Sequence, residues 1–392
     1  MASTALPFGE ATPATGSHTT NPADVAELRV LDWPCCAAPS IHQAWTDLAT
    51  RTADPNPFHE SWYLMPSLRA LDAEETVQAL LYEVGGKLCG VMPIAREKRY
   101  SGWRSPHLAG WTHPNCFLGV PLIAKGHEDA FWRAVLDWSD KCPGAGMFLH
   151  LSGMPLSGPA YAALIRVIRE QRRPHGLVHL EERALLSSHQ TPEAYFSASL
   201  SGKKRKELRR QLARLSEQGE VSFAREHGTD GVAEWTDTFL ELEAAGWKGR
   251  AGSALASESR TEALFRHAMV GAAELGRLER LSLNLDGRPI AMLANFVTPP
   301  GAYSYKTTFD EAFARFSPGV LLQCENLMLL DRDDVDWTDS CAAEGHPMID
   351  HIWRERRTIG RLSIGIGGKW KQAAFRKILK AELARTPIGI SA

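Results

Sequence analysis

Leu281–Asn295 reads LSLNLDGRPIAMLAN, two apolar runs that meet at Asp286-Gly287, a dipeptide that accepts the positive φ required by a two-residue hairpin turn. Thr76–Ala95, TVQALLYEVGGKLCGVMPIA, repeats the design around Gly85-Gly86. Placing Gly86 on Gly287 brings Lys87 onto Arg288, at an offset of 201 residues in a chain of 392. A duplicated α/β unit explains both the pattern and the spacing, whereas a chance pair of hairpins explains only the pattern.

Outward from the first hairpin, residues 41–50, 57–71, 128–141 and 156–171 have helical periodicity, with Phe131, Trp132, Val135 and Trp138 on the apolar side of the third, and residues 176–184 are extended. Residues 192–203 read as a link. Around the second hairpin the order is helix (203–217), strand (221–225), helices (231–245 and 260–275), the hairpin, and a strand (302–308). A helix opening near Ser317, a strand over 335–341 and a helix from about Pro347 follow. Strands and helices mixed in this way predict an α/β or α+β fold, with a mixed twisted sheet flanked by helices in each half. The expected organisation is a loose, polar tail over 1–21, a first domain over 22–191 and a second over 192–392 that ends in a basic helix.

With 44% hydrophobic and 23% charged residues, a chain of this length can bury a large core, which excludes disorder as a reading of the whole. The opening residues lack the basic start and apolar run of a secretory signal, and no apolar stretch approaches the eighteen residues of a membrane span. Seven cysteines without CxxC or zinc-like spacing fit a reducing cytoplasm and are expected as buried thiols. The net charge of −2 conceals two basic zones: ten Lys/Arg against two acidic residues from Trp353 onward, and seven against two over Lys203–Glu217. Such zones invite an anionic partner.

The stretch with most chemistry in it is Tyr303–Leu330, YSYKTTFDEAFARFSPGVLLQCENLMLL. A strand ending in Lys306-Thr307-Thr308 runs into a loop that closes with Phe316-Ser317-Pro318-Gly319 before an apolar helix. Ser at an N-cap with Pro at the first helical position is a well-formed helix start. It also turns backbone N–H groups toward any phosphate placed there, although a plain capped helix accounts for the same residues.

Taken in order, EAAGWKGRAGSAL (243–255), the DGRPIA hairpin, YSYKTTFD, SPGVLL, Asp339-Ser340-Cys341 and HPMIDHIWRERRTIG resemble the CelD-type acetyltransferases. These form a branch of the GNAT superfamily related in fold to the Fem aminoacyltransferases. The resemblance covers most of residues 195–365. It extends more loosely to the first half through NPFH (56–59), the Gly85-Gly86 hairpin and GWTHP (110–114). It implies tandem GNAT-like domains and direct acyl transfer from a thioester, usually of coenzyme A, to a primary amine. No permanently bound cofactor is implied, and acyl-CoA is a co-substrate. Ser317, Pro318, Gly319 and Val320 occupy the place of the superfamily's pyrophosphate loop, with Arg315 upstream as a source of charge.

Such chemistry needs a base and oxyanion donors. Asp310, Asp339 and His346 are the candidate bases, His346 having the most suitable unperturbed pKa. Each also has a plain reading, as a turn aspartate, a capping aspartate and a packed histidine. Lys306 is either a cleft cation that meets an anion or a solvated strand residue. Trp247 and Lys248 either contact substrate or close a helix by packing. His346 and His351, five apart and without a third ligand, do not suggest zinc, and no metal is expected. Cys324, inside the helix after SPG, is expected to be a small packing residue.

The basic helices at 203–217 and 369–385 carry either a solvated face or a face for an anionic membrane, with nucleic acid not expected for want of a known motif. Bacterial ceramide synthases are associated with this branch, so the favoured expectation is an acyl-CoA-dependent N-acyltransferase acting on a sphingoid-type lipid amine. The expected location is cytoplasmic, peripheral on the inner membrane if the membrane face is used. One alternative is acetyl or aminoacyl transfer to a sugar or peptide amine in envelope or polysaccharide assembly, to be favoured by a small, polar cleft. Another is a non-catalytic membrane or nucleic-acid binding module on a degenerate GNAT fold.

Overall fold

A computed structural model of the chain describes residues 25–385, so the tail expected over 1–21 lies outside the described residues. Thirteen strands form one sheet: β1 (Ala26–Asp32), β2 (Gln78–Val84), β3 (Lys87–Tyr100), β4 (Trp103–Gly110), β5 (Leu122–Ile123), β6 (Phe148–Pro155), β7 (His175–Leu186), β8 (Val221–His227), β9 (Leu278–Leu285), β10 (Arg288–Thr298), β11 (Gly301–Phe309), β12 (Trp337–Asp339) and β13 (Glu355–Gly365). Their order across the sheet is β1-β2-β3-β4-β6-β13-β7-β12-β11-β10-β9-β8, with β5 beside β3.

Read from either edge, that order is the same sequence of roles. The hairpin β2/β3 answers the hairpin β9/β10, and the parallel pair β4/β6 answers the parallel pair β11/β12. The turns match in detail, with φ of 55° and 75° at Gly85 and Gly86 and of 50° and 77° at Asp286 and Gly287. The tandem mixed α/β sheet expected from the two hairpins is therefore the observed fold. Its centre was not foreseen. β13 lies between β6 and β7, and β7 lies between β13 and β12, so each half of the sheet is completed by a strand from the other half of the chain.

Helices cover the sheet because their apolar stripes have nowhere else to go. In Glu128–Lys141, Phe131, Trp132, Val135 and Leu136 are buried at helical spacing, while Glu128 and Asp129 occupy the positive end and Lys141 the negative end of the helix dipole. Ser61–Leu71 and Ser259–Glu274, one from each half, pack closely: a Cβ on Gly271 would lie 3.1 Å from that of Trp62. The main core is continuous across the halves, with Phe58, Trp62 and Tyr63 among Phe265, Phe296 and Tyr305. Full burial of each such side chain stabilises by about 1.5–3 kcal/mol.

Both basic helices turn their apolar residues inward. Leu208 and Leu215 of Gly202–Ser216 join a core with Leu281 and Leu293, and Phe375 and Leu379 of Lys369–Arg385 pack with Phe148. Trp370 stands 90% exposed.

Four local expectations are corrected. The helix expected from Pro347 is a run of turns leading into β13, because Arg357–Gly365 places Ile359, Leu362 and Ile364 in the core by strand geometry. The link over 192–203 contains a helix, Pro192–Ser199, capped by the Thr191 side chain. Ser317 does not cap its helix through its hydroxyl. It ends the preceding 3₁₀ turn in the left-handed region, φ 54°, and its backbone carbonyl accepts the first helical bonds instead. Of the cysteines expected to be buried, Cys35 is exposed and Cys116 and Cys324 are half-buried.

Candidate active site

β11 and β12 run parallel and pair only at Gly301–Tyr303 with Trp337–Asp339. Beyond that point they separate. β12 ends at Asp339, the Ser340 amide donates to the Ala184 carbonyl on β7, and Cys341 takes a left-handed φ of 52° that turns the chain away. β11 continues to Phe309, and it carries a bulge in which Tyr305 is the extra residue opposite Ala294–Asn295. A bulge bends its strand, and here it widens the fork.

The fork holds a cavity of about 270 Å³ whose lining includes Glu243, Lys248, Lys306, Ser340, Cys341 and His346. An adjoining depression is lined by Ser317, Pro318, Gly319 and Val320 and shares Trp247 and His346 with the first. At that helix start Pro318 has no N–H, and the amides of Val320 and Leu321 both donate to the Ser317 carbonyl. Arg315 stacks its guanidinium over Phe316, 4.6 Å from the ring centre, and lines neither space.

The three candidate bases fall in different places. Asp310 lies outside the fork, accepting from the Ala312 amide and facing Arg288 at 3.2 Å. Asp339 is fully buried at the neck of the fork, held by Arg357 at 3.2 Å, Arg183 at 3.5 Å and the Cys341 amide at 2.8 Å. A carboxylate so occupied anchors β12 to β7 and β13. His346 does line the cleft. Burial pulls its pKa below the ordinary value, with Asp350 opposing and Lys248 assisting. Its Nδ1 accepts weakly from the Met348 amide at 3.4 Å, so the neutral ring carries its proton on Nε2 and presents a donor.

The residues expected on the substrate side meet here. Lys248 Nζ lies 2.7 Å from Glu243 Oε1, and the other oxygen of Glu243 accepts from the Leu255 amide at 2.7 Å. Glu243 belongs to the buried face of helix Val232–Ala245 with Phe239 and Leu240. Sequence reasoning missed it, although a carboxylate on an otherwise apolar helix face is a legible signal. Trp247 is 54% exposed at the mouth. Gln323 Nε2 donates to Ser304 Oγ and Thr307 Oγ1, both at 3.3 Å, and fixes the fork's β11 wall.

Lys306 reaches the first half of the chain. Its Nζ donates to Asn115 Oδ1 at 2.8 Å and lies 5.4 and 5.6 Å from the ring centres of Phe117 and Tyr305. Burial pulls its pKa down to about 8; Lys248 pushes the same way, and Glu243 and Cys341 oppose. Burial raises the Cys341 thiol well above its usual range, beside Asp339, so it stands as an inert thiol. Cys324 is likewise pushed up to about 12 by burial. Among the described residues no cluster of three or more His, Cys, Asp or Glu is disposed to hold a metal ion, and no helix is long and apolar enough to cross a membrane.

Residues 202–344, which contain the fork, match the family model for an acetyltransferase (GNAT) domain. The chain is similar in fold to FemX, with a TM-score of 0.54 and 10% identity over 82% of this chain and 95% of that one. It is similar also to the C-terminal domain of a putative lysylphosphatidylglycerol synthetase from Agrobacterium fabrum, with a TM-score of 0.52 and 13% identity over 87% and 95% of the two chains. A conserved protein of unknown function from Bacteroides thetaiotaomicron gives a TM-score of 0.53 and 12% identity over 83% and 97%. At these identities the likeness is one of fold. No curated protein sequence matches the chain.

Proposed function

We propose that this protein is an N-acyltransferase that moves a short acyl or aminoacyl group from a thioester, with coenzyme A as carrier, to the primary amine of a polar acceptor. The observation that carries the reading is the fork between β11 and β12, inside the stretch that matches the GNAT model. A fork in a parallel pair admits an extended thioester edgewise and places its carbonyl against unpaired backbone. The amine attacks that carbonyl, the oxyanion forms, and collapse expels the thiolate.

The size and lining of the cleft select among acceptors. About 270 Å³ suits a small group better than a long acyl chain, and Glu243, Lys248, Lys306 and His346 stand in it beside Phe117, Tyr305, Phe309 and Ile349. That favours a sugar or peptide amine over the sphingoid-type amine. Leu208 and Leu215 of one basic helix and Phe375 and Leu379 of the other are taken up by the protein's own core, which weakens one support for the lipid reading, while Trp370 stays exposed. The first half contributes Asn115 and Phe117 to the site, in keeping with a role on the acceptor side.

Purified protein is to be screened with acetyl-, longer acyl- and aminoacyl thioesters against amino sugars, peptides and sphingoid bases, following release of free thiol and the mass of the product. Transfer of short groups to polar amines supports the reading. Release of no thiol from any donor above the uncatalysed rate, together with no heat of coenzyme A binding, sinks it.

A further inference from the structure

The resemblance leaves the two first-half motifs, NPFH and GWTHP, without a task. Both hold the loop over 113–120 that carries Asn115. Asn56 of NPFH donates to the carbonyls of Leu118 and Val120 at 3.3 and 2.7 Å and accepts from the Phe58 amide at 3.0 Å. His113 of GWTHP accepts from the Asn115 amide at 3.3 Å and stacks on Tyr63, 6.1 Å between ring centres. The Tyr63 hydroxyl donates to the Asn115 carbonyl at 2.5 Å and is itself 3.0 Å from the Tyr305 hydroxyl, which is therefore the donor of that second bond. Tyr63 and His113 thus hold the backbone of Asn115, Asn56 holds the loop beyond it, and the Asn115 side-chain oxygen receives Lys306.

We propose that Lys306 is the proton acceptor for the attacking amine and the proton donor to the departing thiolate, and that Asn115 is the positioning residue that aims it. This rests on the acyl-transfer reading above. A neutral lysine has two N–H bonds and one lone pair. Asn115 takes one N–H through an uncharged oxygen, so the lone pair stays available without an ion pair that would keep the amine protonated.

The groups facing Lys306 act in both senses, Lys248 lowering its pKa and Glu243 and Cys341 raising it. Lys248 is a like charge, and Glu243 is already committed to Lys248 and to the Leu255 amide. His113 is kept neutral, its pKa pulled to about 3 by burial, with His59 and Lys306 assisting. Cys341, Tyr63 and Tyr305 are all held in their neutral forms by burial. The faces of Phe117 and Tyr305 favour an ammonium and so oppose the effect of burial.

The protons balance over one cycle. As the acceptor nitrogen bonds to the thioester carbon, the C=O electron pair moves to oxygen and an N–H proton passes to Lys306 Nζ. Collapse restores C=O, breaks C–S with its electron pair going to sulfur, and the Lys306 ammonium returns the proton to the thiolate. A group titrating near 8 suits both steps, since thiols titrate at about 8.5.

The test combines kinetics with a readout that does not need turnover. Competitive trace labelling with acetic anhydride, read by peptide mass, gives the titration of Lys306 itself. It is expected near pH 8 in the wild type and about 1 to 2 units higher in Asn115→Asp, where a carboxylate faces the amine. With an accepted substrate pair, kcat/KM should rise through pH 8, and Asn115→Asp should move that limb upward by the same amount. Lys306→Gln should lose about 100-fold or more in kcat/KM while binding coenzyme A as the wild type does. Titration of Lys306 near 10.5, a limb unmoved by Asn115→Asp, or Lys306→Gln with wild-type rates would overturn the assignment. If the wild type transfers no acyl group to any amine, the acyl-transfer reading fails, and this assignment fails with it. If the wild type transfers and Lys306→Gln does so equally well, only the assignment fails.

Discussion

Asp339, fully buried, lies 3.2 Å from the guanidinium of Arg357 on the neighbouring strand system, and Arg183 faces the same carboxylate from β7 at 3.5 Å. One buried carboxylate therefore faces two cations at the centre of the sheet, just where the fork opens, and Arg183 is paired with Glu181 as well, at 2.8 Å. Asp339→Asn leaves the Arg357 guanidinium without a carboxylate partner in a low-dielectric site and should destabilise the fold by about 3–5 kcal/mol. Urea denaturation measures this. A midpoint equal to that of the wild type would show that water reaches the pair.

Gly271 should be intolerant of branching. A Cβ there meets the Trp62 side chain at 3.1 Å and the Trp62 carbonyl at 3.3 Å, so Gly271→Val must push helix Ser259–Glu274 off helix Ser61–Leu71. The expected cost is about 1–3 kcal/mol. Because that contact joins the two halves of one core, thermal unfolding should remain a single transition at a lower temperature.

Acid should destabilise the protein well before its carboxylates are protonated. Burial lowers the pKa of His59 to about 4 and of His113 and His150 to about 3. The unfolded chain binds protons at these residues from about pH 6.5 downward while the folded chain does not. Stability is full above 6.5 and falls as pH drops toward 4, by about 1.4 kcal/mol per pH unit for each histidine that behaves this way. Unfolding free energies measured between pH 7 and 4.5 check the slope, and a flat profile would contradict it.

The two outer candidate bases should separate kinetically. Asp310→Ala removes a turn cap and a partner of the exposed Arg288, costing about 0.5–2 kcal/mol of stability with kcat/KM close to wild type. His346→Ala removes a donor that lines the cleft and should lower kcat/KM by about tenfold or more. The reverse pattern in thiol-release assays would move the site out of the fork.

Glu243→Gln should shift the pH profile downward. Glu243 raises the Lys306 pKa, and its loss also leaves the Lys248 ammonium uncompensated beside the same amine. Both changes favour neutral Lys306, so the acid limb of kcat/KM should move to lower pH, opposite to Asn115→Asp. An upward shift would show that another group titrates.

The repeated hairpins were legible because Gly85-Gly86 and Asp286-Gly287 advertise their backbone conformation in the residues themselves. The helices at 128–141 and 259–274 were legible for the same local reason, a stripe at helical spacing. β13 was not. Pro347, Ile349 and Ile352 have a spacing that passes for a helix, and only pairing with β6 and β7, far away in sequence, makes Glu355–Gly365 a strand. At the site, Lys306, Lys248 and His346 could be found from the order of motifs, and the structure brings all three to one cleft. Asn115 could not, since its meaning depends on a partner 191 residues on. Asp339 was marked by its place at a strand end, but its commitment to Arg183 and Arg357 belongs to tertiary packing alone.

The exchange of β7 and β13 bears on how the chain is made. A strand that begins at residue 355 fills the middle of the sheet, between β6 and β7. On the ribosome, those two strands emerge some 170 residues or more before their shared neighbour, each with an open hydrogen-bonding edge. The nascent first half is thus a folding unit that waits, exposed to pairing with other chains, until the second half has been translated.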